Sequence, residues 1–372
     1  MADAIHAEVA VVGGGLIGSA AAYGLARRGV KTVLLDGDDA DIRSARANFG
    51  LVWVQGKGMD MPAYQRLTRL SSNRWPEFAA RLAEESGIGF DYRRDGGLTV
   101  ALGEAEFAER SAYVERLRTQ FGTNDYDTEM VERTALERLL PEVTLGPEVV
   151  GASYCWRDGH LNPLALLRAL QVAFLRFGGR LERRARVEAI SREGGTFLAR
   201  TARGEVRSDR LLVAAGSKSA AIAREVGIDV PVRPQRGQVM ITERMPPMLP
   251  LPITGVRQTG EGTYLVGGTQ EEVGFDTSTR VADAANMADR AVRVLPALEN
   301  VNLVRHWAGL RVMTPDSYPI YEESQTMPGA FVALCHSGAT LCAAHAEALA
   351  ETMATGAIAP DIAGFDHRRF DV

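Results

Sequence analysis

The chain opens on an uncharged apolar run, Val9-Ala10-Val11-Val12, which predicts a short buried strand. From Leu16 the pattern changes period: Leu16, Ile17, Ala20, Ala21, Gly24 and Leu25 recur at helical spacing and line one face as far as Arg28. Arg27 and Arg28 sit in the last turn, where the helix dipole favours cations, and Gly29 suits the stop. Lys31 to Leu35 returns to strand and ends in Asp36. Farther on, Tyr64 to Ser86 predicts a helix, Phe90 to Leu102 hairpin strands around Asp95-Gly96-Gly97, and Glu104 to Leu140 a charged, solvated helical stretch. Pro141 to Tyr154 returns to strand. Asn162-Pro163 supplies an N-cap and first-turn proline for a helix reaching Phe177.

The second half continues the alternation. Strands are predicted at Arg186 to Ile190, Phe197 to Ala202 and Arg210 to Gly216, consistent with a parallel sheet resumed after an insertion. Val230 to Thr242 and Gly262 to Thr269 pattern as an antiparallel pair, and Thr277 to Leu298 as a helix. Leu303 to Arg311 and Phe331 to Leu334 are strands, and Thr340 to Met353 an alanine-rich closing helix.

Composition narrows the class. A chain of 372 residues, 46% apolar and 24% charged, is globular with room for about two domains. A net charge of −5 argues against a nucleic-acid partner. Cys155, Cys335 and Cys342 form no CxxC pair, which fits a reducing compartment. His6, His160, His306, His336, His345 and His367 are scattered, so no metal site is expected. Met1 to Glu8 has no apolar core of a signal peptide and no apolar run reaches membrane-spanning length, so a cytoplasmic protein is expected. Only Lys31, Lys57 and Lys218 among 42 basic residues are lysine, a bias read as compositional.

The strongest chemical signal joins the first two strands. Gly13-Gly14-Gly15-Leu16-Ile17-Gly18 matches GxGxxG through Gly13, Gly15 and Gly18. Gly13 permits a tight turn, Gly15 lets backbone approach a pyrophosphate at the helix N-terminus, and Gly18 lets helix and strand pack closely. Asp36 at the end of the second strand can accept hydrogen bonds from ribose hydroxyls. NAD and FAD proteins share this unit, so the pattern alone leaves the dinucleotide open. Asp41 to Gly58, with Ser44, Arg46, Asn48 and Gly50 before Leu51 to Val54, reads either as a cofactor-wrapping loop or as a surface loop entering a core strand. Gly56-Lys57-Gly58 fails as a P-loop on spacing, and Gly216 to Ala220 lacks the second glycine of a nucleophile elbow around Ser217.

Further motifs stand in order: Arg236-Gly237-Gln238, Gly267 to Glu271 with Gly274-Phe275-Asp276, Trp307 to Arg311 with Thr314-Pro315-Asp316, and His336 to Leu341. Together with the N-terminal unit they resemble the FAD-dependent D-amino-acid oxidase family, which includes glycine oxidase, sarcosine oxidase and D-amino-acid dehydrogenases. Asn48 to Gly58 is most similar to the β subunits of heteromeric dehydrogenases, such as opine oxidases and relatives acting on D-hydroxyproline or glycine.

The resemblance implies an α/β (mixed α+β) fold: an interrupted Rossmann-like FAD-binding domain (1–88, 148–226, 306–372) with an inserted mixed or antiparallel-sheet substrate domain (89–147, 227–305). It implies a cofactor site of Gly13, Gly15, Leu16, Ile17, Gly18, Asp36, Gly37, Ser44, Arg46, Asn48, Phe49, Gly50, Leu51, Val187, Ala214, Ala215, Gly216, Gly309, Arg311, Gly338, Ala339, Thr340 and Leu341. The FAD is expected to be non-covalent, because sarcosine oxidases link flavin through a cysteine before Thr-Pro-Asp and Gly309 to Met313 holds none.

The implied reaction is hydride transfer from an amino or imino acid to the flavin, giving an imine that water hydrolyses. Arg311 occupies the Gly-Leu-Arg position that binds substrate carboxylate in the glycine oxidase branch, although Val312-Met313 stands where the family usually has proline. A structural ion pair is its alternative role. His336 is a candidate for contact with flavin or amine, with a locally satisfied histidine as the alternative. Trp53, Tyr264 and Gln270 are candidates for the pocket wall. Three readings follow: the catalytic β subunit of a heteromeric dehydrogenase with a partner subunit, a stand-alone oxidase making peroxide, or a non-catalytic FAD-binding scaffold.

Overall fold

The computed structural model describes residues 5–37, 43–122 and 126–370; expectations that fall on residues 1–4, 41–42 and 123–125 lie outside it. Val9 to Val12 is wholly buried and forms the centre of strand Ile5–Val12. It pairs in parallel with Thr32–Leu35 on one side and Gly204–Val213 on the other. Arg180–Glu182 and Ala330–Leu334 extend the parallel set, and Ile320–Glu323 closes it antiparallel. With the antiparallel arm Val187–Glu193 and Thr196–Thr201 beside Gly204–Val213, the described residues form an eight-stranded sheet.

Three helical segments cover one face of this sheet. Leu16–Arg27 buries Leu16, Ala20, Ala21, Ala22, Tyr23 and Leu25 against the alanine-rich end of the chain. Gly24 makes that approach possible: a Cβ there would stand 1.9 Å from the Ala346 carbonyl oxygen. The closing helix runs through Cys342–Ala344, a π turn His345–Leu349 and Ala350–Thr355. Pro62–Ser86 lies alongside and buries Trp75 and Phe78.

A second layer holds two antiparallel sheets, Gly97–Leu102/Val149–Cys155/Thr128–Glu132 and Val256–Gln258/Thr263–Gly267/Arg233–Arg244/Leu303–Met313. They share one apolar core with the helix Val281–Val294, through Leu98, Val100, Met240, Val266 and Val294. The whole is a mixed α/β fold.

Three expectations change. The charged stretch after Glu104 is two helices, Gly103–Phe121 and Arg133–Leu139, split by the strand Thr128–Glu132. Pairing with Val149–Cys155 there overrides helical propensity. Phe90 to Arg93 makes only an isolated bridge to His160 instead of a hairpin strand. Val149–Cys155 and Leu303–Met313 pair within the second layer, across the expected boundaries at 148 and 306.

Candidate active site

One cavity of about 1210 Å³ runs from the first βαβ crossover to the second layer. Its near end is built by strand geometry. Gly13 takes φ +115°, and a Cβ there would stand 2.3 Å from the Ala214 carbonyl oxygen, so the strand ends carrying Val12 and Val213 meet at a point only glycine can occupy. A Cβ on Gly15 would meet nothing within 4 Å, which leaves the backbone at the helix start facing open space. Asp36 Oδ1 accepts from the Gly14 and Gly37 amides at 3.2 and 3.0 Å, and Oδ2 pairs with Arg43 at 2.5 Å.

Of the cofactor residues expected from sequence, Gly13, Gly15, Leu16, Ile17, Asp36, Gly37, Ser44, Asn48, Phe49, Leu51, Val187, Ala214, Ala215, Gly216, Gly309, Arg311, Gly338, Ala339 and Thr340 line this cavity. Gly18, Arg46, Gly50 and Leu341 stand behind the wall. A Cβ on Gly18 would stand 2.0 Å from the Gly13 carbonyl oxygen, so its role is close packing. The Arg46 carbonyl accepts from the Trp307 indole at 3.1 Å. Gly50, at φ +81°, turns against the Leu161 carbonyl, and Leu341 is core.

The far end is pinned by Thr340. Its Oγ1 accepts from the Trp53 amide at 3.1 Å, and its carbonyl accepts from Ser71 Oγ and Trp75 Nε1 at 2.7 and 2.9 Å. The 338–341 loop and the segment that follows strand Leu51–Val52, with Trp53, therefore hang on the long helix Pro62–Ser86. Trp53, Gln270, His336 and Arg311 all line the cavity. Tyr264 does not: its ring is buried among Leu98, Met240, Ile253 and Val256, and that burial pushes its phenol up to about 12. In strand Thr263–Gly267 alternate residues face opposite ways, and Tyr264 faces the core.

Arg311 projects from Leu303–Met313 across the neighbouring strand. A Cβ on Gly237 would stand 2.8 Å from its Nη2, and one on Gly268 3.2 Å from it, so the two glycines form a slot for the guanidinium. Nη1 donates to the neutral Gln235 Oε1 at 3.2 Å. Arg311 forms no ion pair among the described residues, and burial lowers its pKa, with Glu271 opposing. His336 Nδ1 is sealed from solvent without a partner. Burial first, then Lys57 and Arg311, pulls the imidazole down to about 3, so His336 is neutral. The conformation therefore presents a cation with spare hydrogen-bond donors and a neutral imidazole within one cavity.

Residues 8–352 match the family model described as DAO, FAD dependent oxidoreductase. The chain belongs to this family. It is an FAD-dependent oxidoreductase of the DAO family. The chain is 39% identical over 364 residues to a subunit of opine oxidase from Agrobacterium tumefaciens, covering 98% of this chain and 97% of that one. It is 28% identical to glycine oxidase of Pseudomonas putida, with 84% of each chain covered. Its fold matches the crystal structure of glycine oxidase from Geobacillus kaustophilus with a TM-score of 0.88 at 24% identity, covering 98% and 99% of the two chains.

The residues present fit the DAO-family cofactor. An open backbone at a helix start suits a diphosphate, an acid at the end of the second strand suits ribose, and the cavity exceeds the several hundred Å³ typical for a small ligand. Sequence reading missed Lys57 and Arg43. Lys57 lines the cavity, and its Nζ donates to Ser337 Oγ at 3.1 Å. The rarity of lysine was the available signal. Arg43 carries no motif that distinguishes it from the other arginines. Asp158 also went unmarked: Oδ1 accepts from the Val54 amide at 2.6 Å, and burial pushes the carboxyl up to about 7. Among the described residues no helix is long and apolar enough to cross a membrane, and no cluster of metal-ligating side chains occurs.

Proposed function

We propose that the chain oxidises the C–N bond of an amino or imino acid, an opine-like secondary amine or a D-amino acid, as the catalytic β subunit of a heteromeric dehydrogenase. The observation that carries this reading is Arg311: a guanidinium slotted over two glycines, bonded to a neutral amide, in the same cavity as the dinucleotide cradle. The proposed division keeps residues 1–88, 148–226 and 306–372 with the cofactor and the intervening segments with the substrate. The strand Leu303–Met313, which pairs within the second layer, brings Arg311 to the junction.

The glycine crossover, Asp36, the 44–51 loop, Val187, Ala214 to Gly216 and the 338–340 loop would hold FAD non-covalently, which would supply the acceptor for the hydride that leaves the α-carbon. Arg311 pairs with the substrate carboxylate through its planar fork and so fixes the α-hydrogen in a reactive orientation. The neutral imidazole of His336, on the wall of the same cavity, serves as a hydrogen-bond partner for the substrate nitrogen. As the α C–H bond breaks, the nitrogen lone pair forms the C=N bond of an iminium; water then adds to that carbon, and the C–N bond breaks to leave a carbonyl compound and a protonated amine. Trp53 and Phe49 supply apolar wall that limits water at the reacting carbon.

The subunit assignment draws on similarity to a protein named as a subunit of opine oxidase. Anaerobic flavin reduction, scanned across opines, prolines and D-amino acids, tests the reading. Reduction by an amino or imino acid in the wild type, and retained FAD with no reduction at ordinary substrate levels in Arg311→Ala, is expected. Unchanged reduction kinetics in Arg311→Ala removes Arg311 from the mechanism. Dye reduction that requires an added partner subunit, without peroxide, supports the heteromeric form; peroxide from the chain alone supports the stand-alone oxidase. Bleaching by no substrate supports a scaffold.

A further inference from the structure

Lys57 stands on the turn after strand Leu51–Val52, where its amide donates to the Val54 carbonyl at 3.1 Å. Its Nζ reaches Ser337 Oγ at 3.1 Å, and that same oxygen receives the Tyr64 hydroxyl at 2.8 Å. Ser337 therefore holds two donors, and its lone pairs are spent on them. An ammonium has three donors, so the Ser337 bond leaves two for other acceptors. Lys57 forms no ion pair among the described residues, yet it faces the cavity that Arg311 and His336 also line.

The surroundings offer an ammonium there little compensation. The groups acting on Lys57 are Cys335, Asp158 and Arg311. Burial pushes the Cys335 thiol up to about 12, so it is neutral, and burial likewise keeps the Asp158 carboxyl largely protonated below about 7. Arg311 carries the same sign as Lys57 and opposes it. Desolvation lowers the Lys57 pKa most of all. Lys57 and Arg311 thus face one cavity without an ion-pair partner among the described residues, and a ligand with two negative groups offsets the burial that acts against the charge of each.

We propose that Lys57 is a second anion anchor and that, with Arg311, it selects secondary amines bearing a carboxylate on each arm over those bearing one. This rests on the reading of Arg311 as the first carboxylate anchor. The substrate class is then an N-(carboxyalkyl) amino acid: one carboxylate held at Arg311 beside the carbon that loses hydride, the other at Lys57.

Iminodiacetate and N-methylglycine make the test, because both are secondary amines and differ by one carboxylate. Apparent Kd values for each are read on the FAD-loaded protein from the anaerobic change in flavin absorbance. The wild type is expected to favour iminodiacetate, and Lys57→Met to reduce that preference about 10- to 100-fold, the range for one charge-assisted hydrogen bond. Lys57→Arg is expected to keep most of the preference, which separates loss of charge from loss of fold. A preference unaltered in Lys57→Met, or both ligands weakened by one common factor, overturns the proposal while Arg311 stands. A wild type whose flavin responds to neither ligand nor to any amino acid instead defeats the reading of Arg311 and this proposal with it.

Discussion

Arg311 and Gly237 sit on adjacent hydrogen-bonded strands, and the Arg311 Nη2 lies 2.8 Å from where a Cβ on Gly237 would be. The absence of that one carbon lets the guanidinium cross the sheet to the cavity. Gly237→Ala is therefore expected to push Arg311 aside while leaving FAD bound. The apparent Kd for a carboxylate-bearing substrate should rise on the order of 10-fold, as small overpacking displaces a charge-assisted contact. Anaerobic titration measures it, and an unchanged Kd would show that the slot does not set the position of Arg311.

Asp36 accepts from the Gly14 and Gly37 amides at the end of the second strand, where a ribose-binding acid is expected. Asp36→Ala removes the acceptor proposed for the FAD ribose and also breaks the ion pair with Arg43. The FAD Kd is expected to rise about 10-fold or more. Flavin content after dialysis checks this; full retention argues that the acid serves only the loop.

Gly24 faces the closing helix with no space for a side chain, a Cβ falling 1.9 Å from the Ala346 carbonyl oxygen. Gly24→Ala is expected to destabilise the protein by about 1–3 kcal/mol, because two packed helices must separate. A denaturant midpoint equal to that of the wild type would mean that the helices shift without cost.

Three buried histidines resist protonation. His160 is lowered to about 4, and His336 and His345 to about 3, each chiefly by burial. Between about pH 4 and 6.5 the unfolded chain binds protons at these positions and the folded chain does not, so stability rises with pH across that window. Asp158 acts the other way. Its folded pKa of about 7 lies above the unfolded value, so the folded chain holds the extra proton and stability falls as pH rises from about 4 to 7. Asp158→Asn removes the opposing contribution, and the gain in urea midpoint between pH 5 and 7 is expected to be larger than in the wild type. An identical gain would show that Asp158 does not titrate there.

The opening βαβ unit was legible because its information is local. Val9 to Val12, the Gly13 to Gly18 turn, the helix after it and Asp36 are contiguous, and each period or glycine states its own conformation. Most of the expected cofactor residues line one cavity for the same reason: they fall in turns whose backbone requirements show in residue type. Thr128–Glu132 was hidden because a five-residue strand amid Glu and Arg is stabilised by Val149–Cys155, a partner that lies beyond the next helix and outside any local period.

What the sequence determined by itself is the strand–glycine–helix–strand crossover and, through the resemblance, an FAD-binding chain with an arginine suited to carboxylates. Only the tertiary structure decided which side of each strand sees the cavity. Tyr264 turns to the core, Arg311 reaches through the slot left by Gly237 and Gly268, and Lys57 meets Ser337, 280 residues away. The physical reason is that a side chain's surroundings in a sheet are set by partners far outside the local sequence window, and no local period encodes them.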